Sequence, residues 1–294
     1  MKVGLIDVDG HNFPNLALMK ISAYHKAKGD SVEWVFPLDS YDLVYQAKVF
    51  DNTYSKDIDW MPQAKKIIKG GTGYGIDNKL PEEIEHTYPD YSIYPKMTKN
   101  TAYGYLTRGC PRACKFCIVS AKEGRRSIKV ADLNEFWKGQ RNIKLLDPNI
   151  LACRQHMDLL KQLADSGAWV DFTQGLDIRL TNEENIKALN RIKTKMIHFA
   201  WDNPADDLRA KFKKFNELTD IKDYRKKSVY ILTNFNSTIE QDLHRIYTLR
   251  DMGFSPYVMV YNRSKAPKEI RKLQRWCNNR IIFAKCRDFK DYNA

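Results

Sequence analysis

From residue 102 onward the chain repeats one pattern, and that repeat limits it to few folds. Six apolar stretches, AYGYL, NIKLL, AWVDF, KMIHFAW, SVYIL and PYVMVY, begin near Ala102, Asn142, Ala168, Lys195, Ser228 and Pro256. After the first gap they recur every 26–33 residues or so, the length of one strand, one helix and their turns. Between them lie helix-start patterns in which a short polar side chain and a Glu three residues on satisfy each other's backbone N–H groups. These are Asp132-x-x-Glu135, Thr181-x-x-Glu184 and Ser237-x-x-Glu240. The helix over 237–252 is predicted to stop at Gly253, a residue suited to the C-terminal turn. Six strand–helix units in a row predict a six-stranded partial β/α barrel. Its reactive groups are then expected in the loops after each strand, at the C-terminal face.

The first hundred residues are a smaller α/β unit. Residues 2–8 (KVGLIDV) form an apolar run suited to a buried strand. Pro14 opens a helix over 14–28, ended by Gly29. Strands follow at 31–36, 42–50 and 65–69, the last leading into Gly70-Gly71-Thr72-Gly73-Tyr74-Gly75. Glycines directly after a strand mark a tight turn or a close backbone approach. The expected organisation is a small Rossmann-like domain over 1–76, a linker over 77–101 carrying Pro81, Pro89 and Pro95, and the partial barrel with its tail over 102–294.

Charge and cysteine usage restrict the function. No run of 18 apolar residues occurs, so no membrane-spanning helix is expected. The start, MKVGLIDVDGHNF, reads as a first strand and not as a signal peptide. With 49 Lys and Arg against 36 Asp and Glu, the net charge is +13. Such a surface attracts nucleic acid or other polyanions, although many lysines alternate with acids, as over 205–227. The densest basic group is Lys211, Lys213, Lys214, Lys222, Arg225, Lys226 and Lys227. The six cysteines are 110, 114, 117, 153, 277 and 286. Clustering of this kind points to metal binding in a reducing cytoplasm, not to a disulfide framework.

Three of those cysteines fall in one loop after the first barrel strand, Thr107-Arg108-Gly109-Cys110-Pro111-Arg112-Ala113-Cys114-Lys115-Phe116-Cys117. Thiolates are soft ligands that suit zinc or iron–sulfur clusters. A structural zinc site wants four ligands, and the loop holds no fourth Cys or His. Three thiolates on a four-iron cluster leave one iron open to a small molecule. A zinc knuckle remains the alternative. Cys277 and Cys286 are too few to hold a second cluster, and His198, within the fourth strand, reads as a core histidine.

The spacing C-x3-C-x2-C, with Phe116 before the last cysteine, resembles the signature of the radical S-adenosylmethionine (SAM) superfamily. The resemblance implies a TIM-like partial (β/α)6 barrel, with Cys110, Cys114 and Cys117 holding a [4Fe–4S] cluster whose open iron chelates SAM. Reductive cleavage then yields a 5′-deoxyadenosyl radical, using an electron donor such as flavodoxin or ferredoxin. By position, Phe116, Asp147, Gln174, Arg179, Asp202 and Val258 are the implied cofactor contacts. Asp147 stands where the family holds the SAM amino group, Gln174 and Arg179 where it holds ribose and carboxylate, and Val258 where backbone packs adenine.

The amino-terminal part resembles the cobalamin-binding domain found before such barrels. That family's pattern is Asp-x-His-x-x-Gly, then Ser-x-Leu, then Gly-Gly. Here Asp9, His11 and Gly70-Gly71 match, Pro14 replaces the first Gly, and Ser-x-Leu is missing. Proline lacks the permissive backbone of glycine, and the domain is short, so cobalamin is not expected. Three functions follow: a radical SAM enzyme of unidentified substrate, a cobalamin-dependent radical SAM methyltransferase, or a non-catalytic metal-bound module for nucleic acid.

Overall fold

The computed structural model of the protein describes residues 1–10 and 12–293. Its first sheet is built from β1 (Lys2–Asp7), β2 (Ser31–Trp34), β3 (Ser40–Ala47) and β4 (Gln63–Gly70), in the order β2-β1-β3-β4. All three pairings are parallel. Helix α1 (Leu16–Ala27) begins where the Asn15 side chain accepts the Leu18 N–H, and ends before Gly29, whose φ of +83° favours glycine. The helix buries Leu18 and Ile21 against Leu5 and Ala47. The opposite face of the sheet, with Ile6, Tyr41 and Val44, is packed by Ile58 and neighbouring side chains. Only the β1–β2 crossover is helical; β2–β3 and β3–β4 are joined by irregular chain. This is a Rossmann-like sheet with a full-length helix in one of its three connections.

The six strands expected from residue 102 form one further sheet. They are β5 (Thr101–Gly104), β6 (Asn142–Leu145), β7 (Trp169–Phe172), β8 (Thr194–Ala200), β9 (Lys227–Thr233) and β10 (Ser255–Val260). Their order is β10-β9-β8-β7-β6-β5, so chain order is spatial order. The pairings β7–β8, β8–β9 and β9–β10 are parallel. Helices α2 (His156–Asp165), α3 (Glu183–Asn190), α4 (Arg209–Leu218) and α5 (Ile239–Asp251) make the crossovers, and α6 (Lys268–Asn278) follows β10. With β10 and β5 at the two ends of the order, the barrel stays open.

Two of the expected helix starts slip by one residue. Helix α3 is capped by Asn182 with Asn185, because the Thr181 hydroxyl is taken by the Ile178 carbonyl at 2.7 Å. Helix α5 is capped by Thr238 with Gln241. The box at Asp132 and Glu135 is present, but on a single 3-10 turn.

The compact units divide the chain differently from the expected domains. One comprises residues 1–104 with 131–143, and the other 105–130 with 144–294. The stretch 77–101 is therefore not a linker but part of the first unit's core. Ile84 packs on Leu5, Leu18 and Ile21, and Tyr94 packs on Met19 and Tyr103. The Tyr91 hydroxyl donates to the Phe136 carbonyl at 2.6 Å. Prolines that suggest a linker here start short helical turns, at Pro81 and Pro95. Among the described residues no helix is long and apolar enough to cross a membrane.

Candidate active site

The cysteine loop leaves the chain just after β5 and is closed by a two-residue antiparallel ladder, Thr107–Arg108 against Ile128–Lys129. Inside it, Glu123 clamps the approach to the first cysteine. Its carboxylate accepts the Arg108 guanidinium at 2.9 Å and the Gly109 N–H at 3.1 Å. Gly109 has φ +84°, and a Cβ there would lie 2.1 Å from the Arg126 carbonyl oxygen, so the position requires glycine. The Cys110 N–H is held by the Gly124 carbonyl, and the Cys117 N–H by the Cys114 carbonyl. Cys110 and Cys114 are half-buried and Cys117 is exposed. Burial pushes the free Cys114 and Cys117 thiols up, and the charge of Asp202 adds to this at both.

The Asp147 carboxylate is taken up by the chain itself. It is fully buried and accepts the Leu106 N–H at 2.9 Å, the Thr107 N–H at 2.6 Å and the Thr107 hydroxyl. Burial pushes its carboxyl up to about 7, against the pull of those donors. Asp147 thus fixes the chain entering the cysteine loop. The residue after β6 that reaches the loop is Asn149, whose amide donates to the Cys110 sulfur at 3.6 Å. The Asn149 carbonyl is anchored by the Ser127 hydroxyl at 2.9 Å, and its side-chain Oδ1 is buried without a partner. N–H donors to a ligating sulfur are a standard means of tuning a cluster.

After β7, Gln174 is exposed, while Arg179 is engaged. The guanidinium pairs with Asp177 at 3.0 Å and with Asp206. The same two carboxylates lie 3.7 and 4.0 Å from Arg112 of the cysteine loop. With its side chain 43% exposed against 24% for Arg179, Arg112 is the looser of the two cations. Asp202, after β8, accepts the Leu232 N–H at 3.1 Å. Its strand ends are stapled by Arg245 of α5, which donates to the Trp201, Asp202 and Leu232 carbonyls and pairs with Asp242. Both members of that pair are fully buried.

Phe116 meets Phe235, after β9, edge to face at 5.6 Å. Val258 is buried, and its N–H and carbonyl are both taken by Asn278 of α6, at 2.8 and 3.0 Å. Its backbone is thus tied to α6. His198 is not the satisfied core histidine expected. It stacks on Tyr230 at 5.0 Å, its Nε2 is 3.6 Å from Asp171, and its buried Nδ1 has no hydrogen-bond partner. Asp171, His198, Tyr230 and Tyr257 come from four successive strands, with Tyr230 and Tyr257 in register. Cys277 is core, its thiol pushed up to about 12 by burial. His11 lies outside the described residues, while Asp9 accepts the Val49 and Phe50 N–H groups.

No family model matches the chain. Over 138 residues, 43% of this chain and 28% of the other, it is 30% identical to the tRNA-2-methylthio-N(6)-dimethylallyladenosine synthase of Pseudoalteromonas atlantica. The chain thus spans little more than a quarter of that relative's length. Its structure superposes on TsrM of Kitasatospora setae, a radical S-adenosylmethionine methyltransferase solved with cobalamin and a [4Fe–4S] cluster. The TM-score is 0.61 at 12% identity, over 88% of this chain and 75% of that one. The chain therefore shares its fold with TsrM. In this fold the three-cysteine loop, Asn149, Asp202 and the Arg112–Asp177–Arg179–Asp206 network all follow barrel strands, where β/α barrels place their chemistry. Arg112, Asn149, Asp206 and Arg245 were not marked by any sequence motif; only their positions after strands or in the loop hinted at them.

Proposed function

We propose that the protein is a radical SAM enzyme, with a [4Fe–4S] cluster held by Cys110, Cys114 and Cys117. The observation that carries this is a built loop, not merely a spacing: Glu123, Gly109 and Asp147 fix the backbone while the three thiols stay at least partly accessible. Among the described residues no three His, Cys, Asp or Glu side chains converge on one metal-ion position. A four-iron cluster does not need such convergence, since each thiolate binds a different iron. When bound, the cluster with SAM supplies one-electron reductive cleavage, drawing on a donor such as flavodoxin or ferredoxin.

This chain's own residues would orient and screen. The Asn149 amide meets the Cys110 sulfur, and Asp202 offers a carboxylate near Cys114 and Cys117 for the SAM ammonium. Arg112, weakly held by its two aspartates, is better placed than Arg179 to take the SAM carboxylate. Phe116 and Phe235 supply an apolar wall, and the Asp171–His198–Tyr230 row is the polar face available to substrate. Anaerobic reconstitution, followed by incubation with SAM and dithionite, should yield 5′-deoxyadenosine. No product from protein with full iron content would sink the proposal.

A second reading, a cobalamin-dependent methyltransferase, is favoured by one observation. The likeness to TsrM covers 88% of this chain and so reaches into the first unit. Against it, Asp9 is occupied by backbone donors, and Gly71 is glycine because its Cβ would sit 2.3 Å from the Lys48 carbonyl oxygen. Titration with hydroxocobalamin decides: stoichiometric binding would promote the methyltransferase.

A further inference from the structure

Helix α6 has a face that the site above does not use. Lys268, Arg271, Lys272 and Arg275 recur at i, i+3, i+4 and i+7, one stripe of a helix. Leu273, Trp276 and Cys277 on the other side are buried. With Arg263 and Tyr257, the stripe lines a cleft of about 1110 Å³ whose charged lining is five cations and one carboxylate, Glu269.

Some surface cations elsewhere on the barrel are neutralised locally. Lys214 pairs with Glu183, Arg209 with Asp207 and Arg225 with Asp223. Among the described residues, none of the five cleft cations has an ion-pair partner. Arg263 is held by the Gln274 side chain at 2.9 Å, and Lys272 lies 5.7 Å from the Phe289 and Tyr292 rings. Like charges side by side on a helix repel, so the arrangement costs stability until a polyanion meets it.

The shape of the patch narrows the class of anion. Lys268 to Arg275 spans about 10 Å of helix at 1.5 Å per residue, a row that suits successive phosphates better than one small anion. Tyr257 lies on the cleft wall and starts a second row. Tyr257 and Met259 are exposed, alternate side chains of β10, the end strand of its sheet, and the exposed Tyr261 directly follows it. The Tyr261 ring is 4.9 Å from Phe235, and Phe235 is 5.6 Å from Phe116 in the cysteine loop. A cationic groove beside aromatic faces is how single strands are held, phosphates in the groove and bases on the rings.

We propose that this cleft and strand edge bind single-stranded nucleic acid, with phosphates along α6 and bases against the Tyr257–Tyr261 row, leading toward the cysteine loop as substrate. The role as substrate rests on the function proposed above; the binding does not. The test is fluorescence anisotropy on the full, reconstituted chain without SAM. The probes are a fluorescein-labelled mixed-sequence RNA of about 15 nucleotides, the same sequence as DNA, its duplex, and vesicles with anionic phosphatidylserine.

One or both single strands should bind more tightly than duplex or vesicles. The slope of log affinity against log salt should be about −2 to −3, as four neutralised phosphates imply. Arg271→Glu/Arg275→Glu should weaken binding at least about tenfold, through loss of two of those phosphate contacts and added repulsion. The same charge change on α4, Lys211→Glu/Lys213→Glu, should weaken it far less. Should the glutamate variant lose its helical circular dichroism, Arg271→Gln/Arg275→Gln takes its place. No single-strand binding, equal losses from α6 and α4, or a preference for duplex or vesicles would overturn the proposal. Formation of 5′-deoxyadenosine by wild-type protein without nucleic acid reports separately on the proposed function.

Discussion

The two glycine-bearing loops of this protein use one backbone device for opposite ends. After β4, Gly71 has φ +95° and sits against the Lys48 carbonyl; after β5, Gly109 has φ +84° and sits against the Arg126 carbonyl. In each, a Cβ would come within 2.3 Å of a backbone oxygen. The first loop then consumes its polar groups internally. The Tyr74 hydroxyl and the Gln46 amide both donate to Asp57 at 2.6 Å, and the buried Lys48 reaches Asn52. The second loop satisfies its backbone through Glu123, Gly124 and Asp147 and leaves three thiols for something else. A glycine-rich turn after a strand is therefore no sign of a ligand site by itself. What matters is whether the side chains around it are left unspent.

The largest expected effect separates the loops outright. Cys114→Ala should remove cluster-dependent chemistry entirely, and reconstituted iron should fall well below that of wild type. Retained SAM cleavage in that variant would break the comparison. Next is Arg245→Ala, which leaves Asp242 buried without its partner and frees three carbonyls at the strand ends near Asp202. Removing one member of a buried pair costs about 3–5 kcal/mol, so urea unfolding should show a loss of that order. A loss under about 1 kcal/mol, as expected of a surface pair, would mean the staple is ornamental.

The glycines themselves come third. Gly71→Ala and Gly109→Ala should each destabilise by about 1–3 kcal/mol, as residues forced into strained backbone do. Only Gly109→Ala should lower iron content, and matched iron content in the two variants would erase the distinction drawn between the loops. The last effect is one of pH and concerns Asp147. Its folded pKa, about 7, is above its ordinary 3.8. The folded chain thus keeps a proton that the unfolded chain has released, and stability from this group is full below about pH 4 and lost as pH rises through 7. Stability measured from pH 4 to 8 should fall more in wild type than in Asp147→Asn; parallel curves would show that the carboxyl titrates normally.

Much of the barrel was legible in the sequence because period and turn chemistry are local. All six strands begin within one residue of the expected position. The caps of α3 and α5 slip because adjacent residues compete for one role, and at α3 a local bond to the Ile178 carbonyl takes Thr181 out of contention. The segment over 77–101 was misjudged because prolines are visible in sequence, whereas the burial of Tyr91, Ile84 and Tyr94 depends on what faces them. For the same reason the bonds that Asp147, Arg179 and Val258 make within the chain were not legible. Their partners, Thr107, Asp206 and Asn278, lie 20 to 40 residues away or so. The basic stripe of α6 is less dense in sequence than the lysines of 211–227, and only helical spacing brings it together.

The central claim is that three thiols leave one iron open. The most direct measurement is electron paramagnetic resonance of the anaerobically reconstituted, reduced protein with and without SAM. A four-iron signal that changes shape when SAM is added, and is absent in Cys114→Ala, is the predicted result. A bound zinc without sulfide, or a cluster signal that SAM leaves unchanged, would contradict it.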